Sequence, residues 1–208
     1  MNNDLISIIR DTLGSIRLNE AEPRIVKFYH GGTAWGSNKP MVMPAKKGKY
    51  ECGPGIYMTT SYSRAKSYAG GNKIVQLVAV DANKIILPNE VKVELIDVMN
   101  LISSIKIKNR WQLTQDLENS FKRGRNSANI VINLLVNNEA LSGDAGPVVA
   151  KWLSDHGITA DFNKFHSEEW LIIFDPSIII KVTKVDPELV KGDFEFDLPM
   201  VFNDLKKL

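Results

Sequence analysis

The chain has 208 residues, 44% hydrophobic and 24% charged, with a formal net charge of +2. That balance fits one soluble globular domain with an extension, long enough to bury a sizeable core, and excludes a disordered chain. The charge is too small to argue by itself for nucleic acid or a membrane surface, although Lys46-Lys47-Gly48-Lys49 and Lys122-Arg123-Gly124-Arg125 are local basic clusters.

The single cysteine, Cys52, excludes an internal disulfide framework and any multi-cysteine zinc site. His30, His156 and His166 have no ligand-like spacing with it, so no metal is expected. The start, Met1-Asn2-Asn3-Asp4-Leu5, lacks a basic region followed by an apolar core, and the apolar runs are strand-sized. A cytoplasmic setting, of the producing or a host cell, is expected, with no signal peptide or transmembrane segment.

Leu5, Ile6, Ile8, Ile9, Leu13, Ile16 and Leu18 fall near helical spacing, so residues 4–18 are predicted as an amphipathic helix, broken at Pro23. This segment, 1–23, suits packing against the domain or a partner. Residues 24–30 read as a strand ending in His30-Gly31-Gly32, which sets an imidazole beside accessible backbone. Residues 33–52 look like a surface loop.

Gly53-Pro54-Gly55 turns the chain into a short strand, Ile56 to Thr60, and Ser61 or Ser63 then caps a helix through Ala65 to Tyr68. Tyr57 and Tyr68 are thereby held on a strand and the next helix, close enough to face one pocket, which suits a flat heteroaromatic ring. For this stretch alone, a strand and helix with half-buried core tyrosines is the plainer reading. A strand over residues 73–80 follows, with a further short one at Ile85-Ile86-Leu87.

Residues 92–137 change character, and their apolar spacing suggests three helices inserted on the sheet scaffold. A helix from Pro147 to Asp155 ends at His156-Gly157 and leads to a strand over residues 158–162. Ser167-Glu168-Glu169-Trp170-Leu171-Ile172-Ile173-Phe174-Asp175-Pro176 then sets two acids where a strongly apolar strand begins. At least one carboxylate should point into a cleft at the sheet's edge; a solvated strand end is the plain alternative. Ile178 to Val182 is another strand, and residues 185–208 form a charged tail with apolar anchors at Phe194, Phe196, Leu198, Val201 and Phe202.

His30-Gly31 at a strand end, Gly55-Ile56-Tyr57 with Tyr68 on the following helix, and Glu169 opening a late strand occur in this order. Together they resemble the ADP-ribosyltransferase superfamily, in the His-Tyr-Glu branch typified by poly(ADP-ribose) polymerases and diphtheria-like toxins. The likeness spans residues 24–184, leaving out the N-terminal helix, the 92–137 insertion and the 185–208 tail. It implies an α+β fold, a split β-sheet core carrying a helical insertion and an N-terminal helix. It also implies a mono-ADP-ribosyltransferase of the phage or bacterial kind, a toxin or effector, that uses NAD as co-substrate and no metal.

The resemblance assigns His30 to a ribose hydroxyl of NAD and the Gly31 backbone, beside Gly32, to the nicotinamide carboxamide. Tyr57 and Tyr68 would stack on the nicotinamide. Glu169, preferred over Glu168 because it directly precedes the apolar strand, would hold the 2′-hydroxyl of the nicotinamide ribose and stabilise the oxocarbenium-like transition state. Ala65 stands where the polymerases have a serine that bonds the carboxamide, and Ser167 argues against arginine as acceptor.

Three functions follow from this reading. The first is transfer of one ADP-ribose from NAD to a macromolecule, with protein favoured as the acceptor. The second keeps the fold but acts on nucleic acid, by RNA or DNA ADP-ribosylation or RNA 2′-phosphotransfer. The third is an NAD- or protein-binding module without catalysis, in which the N-terminal helix meets a partner or antitoxin.

Overall fold

In the computed structural model, residues 22–32, 35, 39–44, 50–69, 74–186, 190 and 196–201 are described. The segment predicted as the N-terminal helix, the cluster at 46–49, and Phe194 and Phe202 lie outside them. Among the described residues are six strands: β1 (Ile25–Gly31), β2 (Ile56–Thr59), β3 (Val75–Asp81), β4 (Ala160–Lys164), β5 (Glu169–Ile173) and β6 (Ile179–Lys184). Five α-helices accompany them: α1 (Tyr62–Ala69), α2 (Leu95–Ser104), α3 (Arg110–Lys122), α4 (Ala128–Asn137) and α5 (Ala145–Asp155). No described helix is long and apolar enough to cross a membrane.

The fold is α+β, built on one antiparallel sheet in the order β4-β5-β2-β1-β3-β6. The expected split into half-sheets does not appear among these strands, because β1 pairs with β3 along one edge and with β2 along the other. Ile85–Leu87, expected as a strand, forms none. Instead the Thr159 hydroxyl accepts from the Ile86 N–H, which ties this loop to the start of β4.

Strand alternation divides the core. On one face Val26, Phe28, Ile56, Met58, Val78, Leu171 and Ile173 pack together, with Trp35 and Val201 against them. The other face is shared. Ile172 joins the helices of the 92–137 segment and α5 in the largest cluster, with Leu113, Val131, Leu135 and Leu153 fully buried there. Tyr29 and Val75 meet α1 through Tyr62 and Ala65. The three inserted helices are thus a layer of the domain core. Lys122, Arg123 and Arg125 are exposed at the end of α3, with Lys122 3.7 Å from Glu118 one turn back, which is a solvated helix end.

Residues 196–201 belong to the fold as well, where a tail was expected. Tyr29 donates to the Phe196 carbonyl (2.6 Å), Leu198 N–H to the Thr60 carbonyl (2.9 Å), and Val201 N–H to Glu169 Oε2 (2.6 Å). The anchors Phe196, Leu198 and Val201 are each partly buried on the core. The cap of α1 also comes from this segment. Tyr62 N–H donates to Asp197 Oδ1 at 2.7 Å, while the hydroxyls of Ser61 and Ser63 face each other at 3.2 Å. A distant carboxylate has taken the role expected of a local serine.

Asp197→Ala should therefore cost about 1 kcal/mol, as lost helix caps do, and lower Tm by about 2–4 °C for a domain of this size. A thermal melt of the variant checks this, and an unchanged Tm would show that the segment contributes no cap.

Candidate functional site

The end of β1 meets α1 with no room for a side chain. A Cβ added to Gly31 would lie 1.6 Å from the Ala65 carbonyl oxygen and 2.9 Å from its Cα. The strand can pass under the helix only because residue 31 is glycine. The same contact brings together two residues that were picked out separately in the sequence, Gly31 and Ala65.

With α1 docked there, its outer stripe lies over β5. Arg64 and Tyr68, four residues apart and so on one helix face, meet Glu168 and Trp170. Arg64 Nε donates to Glu168 Oε1 at 2.9 Å, and the Thr59 hydroxyl donates to Glu168 Oε2 at 2.7 Å. The Tyr68 ring stands edge-on to Trp170 at 6.4 Å, and Tyr57 does the same at 6.1 Å. Both expected ring walls therefore meet the same indole. Trp170 was not singled out from the sequence, although its place directly after Glu169 puts it on the alternate face of a strand.

Register fixes which acid shares that face. Thr59 pairs with Trp170 and Tyr57 with Ile172, so these four side chains project to the same side as α1. Glu168, two residues before Trp170, does too, as its contacts with Thr59 and Arg64 show. Glu169 projects to the opposite side with Leu171 and Ile173. It is fully buried, and its Oε2 accepts the Val201 N–H. The structure joins Tyr57, Tyr68, Ala65 and Gly31 with Glu168, and does not join them with Glu169.

His30 is on the same side as Glu169, with Val26 and Phe28. Its Nδ1 lies 2.9 Å from the Tyr57 carbonyl oxygen and its ring stacks on Trp35 at 4.3 Å. A carbonyl only accepts, so Nδ1 carries the proton and Nε2 presents a lone pair. Burial lowers the His30 pKa below its ordinary 6.5, with the bond to Tyr57 opposing. Gly32 fits beside that ring, because a Cβ there would lie 2.8 Å from His30 Nε2.

The Tyr57 hydroxyl is engaged within the fold. It donates to the Gly53 carbonyl (2.7 Å) and accepts from Cys52 N–H (3.0 Å), and burial holds its pKa far above the usual tyrosine range. The Cys52 thiol is also pushed up, by burial and then by the charges of Glu51 and Asp161, which disfavours its thiolate. Asp161, which pairs with Ile172 and shares the Tyr57 face, has its own carboxyl raised by burial. Among the described residues no three His, Cys, Asp or Glu side chains converge as metal ligands would. A separate groove of about 440 Å³ between α2 and α5 is lined by Asp97, Leu101, Trp152 and His156, among others, none of which belongs to this constellation.

The His30 shift has a fixed sign in stability. Near pH 6.5 the unfolded chain takes up a proton that folded His30 refuses, so stability falls as pH drops from about 6.5 to the folded pKa, by up to about 1.4 kcal/mol per unit, and levels off below it. His30→Asn keeps an N–H for the Tyr57 carbonyl but does not titrate. Melts between about pH 7.5 and 5 should show a steeper loss in the parent than in the variant; parallel curves would mean that His30 is not held neutral.

Comparison with family models, with curated proteins and with solved structures found no match to this chain.

Proposed function

We propose that this chain is an NAD-dependent mono-ADP-ribosyltransferase, moving ADP-ribose from NAD to a macromolecular acceptor with release of nicotinamide, as a toxin or effector would. One observation supports the reading above all. The Gly31–Ala65 contact gathers a glycine backbone, two tyrosines and a carboxylate, Glu168, onto one side of a sheet end. These parts suit a carboxamide, a flat aromatic ring and a developing positive charge respectively.

In this reading the Gly31 backbone takes the carboxamide. The nicotinamide ring lies against Tyr57 and Tyr68, with Trp170 closing the slot. The bond between C1′ of the ribose and the ring nitrogen breaks, and its electron pair leaves with neutral nicotinamide. The acceptor's lone pair then closes on C1′ and its proton passes to solvent. A carboxylate must face C1′ while it is electron-poor. Glu168 fills that role in place of Glu169, because it shares the tyrosines' face and is oriented by Arg64 and Thr59. His30, on the other face of the sheet, is given no part in this slot.

Incubation with NAD labelled in the ADP-ribose moiety and a cell lysate, with nicotinamide release followed in parallel, tests the proposal. Glu168→Gln should lower the rate of release by about 10²-fold or more. Glu169→Gln keeps an oxygen for the Val201 N–H and should stay within a few-fold of the parent. A reversed order of the two effects would return the catalytic role to Glu169. No release from the parent protein would remove the transferase reading.

A further inference from the structure

We propose that the corner where α2 passes into α3, from Lys106 to Trp111, rests this protein on an anionic lipid surface. The observations behind it are independent of the transferase reading, and the inference goes beyond that reading.

Trp111 is 70% exposed, more than any other large hydrophobic side chain among the described residues. Its direction follows from the helix. Leu113, two residues on, is fully buried, and two residues turn a helix by about 200°, so Trp111 points away from the core. Among the described residues no other ring touches it. An exposed ring by itself needs no explanation; its charged neighbours set this one apart.

Lys106, Lys108 and Arg110 are all exposed. Ile105 and Ile107 turn inward onto the helical core, which leaves the two lysines facing out. Arg110 donates to the Ile105 carbonyl at 2.8 Å and so pins the corner. None of the three cations forms an ion pair with a described residue. No Asp or Glu occurs from Val98 to Gln115. The acids on the neighbouring elements are engaged or set back. Asp116 accepts from Gln112 (2.9 Å) and Asn138 (3.4 Å), Glu118 faces Lys122, and Glu139 has a partner of its own. Asp97 lies toward the far end of α2 beside His156, and Asp155 is paired with Lys151. Asp144, exposed just before α5, opposes three cations with one charge.

Shape selects the partner. Every side chain from Lys108 to Gln112 is exposed, so the corner is a tip. The groove between α2 and α5 reaches only Ser104 on this side and does not include it. Surfaces that bind a nucleic-acid strand combine a groove with several stacking rings, whereas a tip with one indole and a ring of cations fits a plane. An indole suits the boundary between headgroups and acyl chains, and each cation beside an anionic headgroup is worth about five-fold in binding. Gln115, one turn past Trp111, is polar and exposed, so the contact is shallow and reversible. The anionic leaflet is the cytoplasmic one, which is the setting expected from the sequence.

Flotation of the full chain with vesicles of equal parts phosphatidylcholine and phosphatidylserine, beside phosphatidylcholine alone, tests the corner. The chain should float with the mixed vesicles only, and less as salt rises. Trp111→Ala should weaken binding by about ten-fold or more, and Lys106→Gln with Lys108→Gln by about 30-fold, each with an unchanged melt. Lys122→Gln with Arg123→Gln removes as much charge from the other end of α3 and should stay within a few-fold of the parent.

Equal losses in the two double variants would mean that net charge alone binds, and would overturn the corner. Full binding by Trp111→Ala, equal flotation with phosphatidylcholine, or no flotation would do the same. A single-stranded RNA of about a dozen nucleotides that displaces the vesicles, and whose own binding needs Trp111, would give the corner to nucleic acid and overturn the lipid surface. None of these outcomes depends on nicotinamide release, so the two proposals stand or fall separately.

Discussion

The missing side chain at position 31 is the constraint on which the arrangement of this molecule depends. The Gly31 backbone lies so close to the Ala65 carbonyl that any Cβ would have to displace the helix. That closeness sets the height and rotation of α1 above the sheet. Because α1 has only eight residues, fixing one contact fixes all of it. Ala65 turned inward puts Arg64 and Tyr68 on the next stripe, where β5 runs beneath them. The pairings Arg64–Glu168 and Tyr68–Trp170 follow from the glycine as directly as the glycine contact itself.

Strand parity does the rest. Glu168 and Glu169 are neighbours in sequence, but alternate faces of the sheet separate them into unlike settings. One is gripped by an exposed arginine and a threonine on the side of α1. The other is sealed in the opposite layer against the backbone of residue 201. Buried carboxylates persist only where hydrogen bonds replace water, and each of these two accepts such bonds within the fold. Glu169 also donates its own N–H to the Thr60 hydroxyl, and Thr60 N–H returns a bond to the Glu169 carbonyl. That acid therefore ties β2, β5 and the C-terminal segment together, and the opening of β5 on which Glu168 depends is held by its neighbour.

Much of this was legible in the sequence, for local reasons. Short apolar runs bounded by glycine and proline turns marked all six strands to within a few residues, and β5 stood out as a strongly apolar one. Periodicity found α2, α3 and α4 across 92–137 and α5 after them. Ile85–Leu87 misled because three apolar β-formers in a row look the same whether they pair or only pack. The choice between Glu168 and Glu169 was not legible, since which one faces Tyr57 is set by the Thr59–Trp170 register across 111 residues of chain. The Asp197 cap is hidden for the same reason. Tyr62 N–H and its acceptor are 135 residues apart, and nearby serines make a local cap look sufficient. Long-range partners escape a reading built on spacing.

The inserted helices acquire a different meaning once β5 is seen to serve both layers. Ile172 and Phe174 are buried among the helices of the largest cluster, while Leu171 and Ile173 complete the core on the other side. One face of the sheet is thus divided between that helical layer and the short helix α1. Trp170 and Tyr57 lie on this face and stay half-exposed, although Ile172 beside them is fully buried. A layer covering the whole face would have buried the aromatic floor as well. A layer that was absent would have left Ile172 and the adjoining apolar surface in water, at a cost on the order of 25 cal/mol per Å². The aromatic floor of the candidate site is therefore set by where helix packing stops as much as by the side chains that line it.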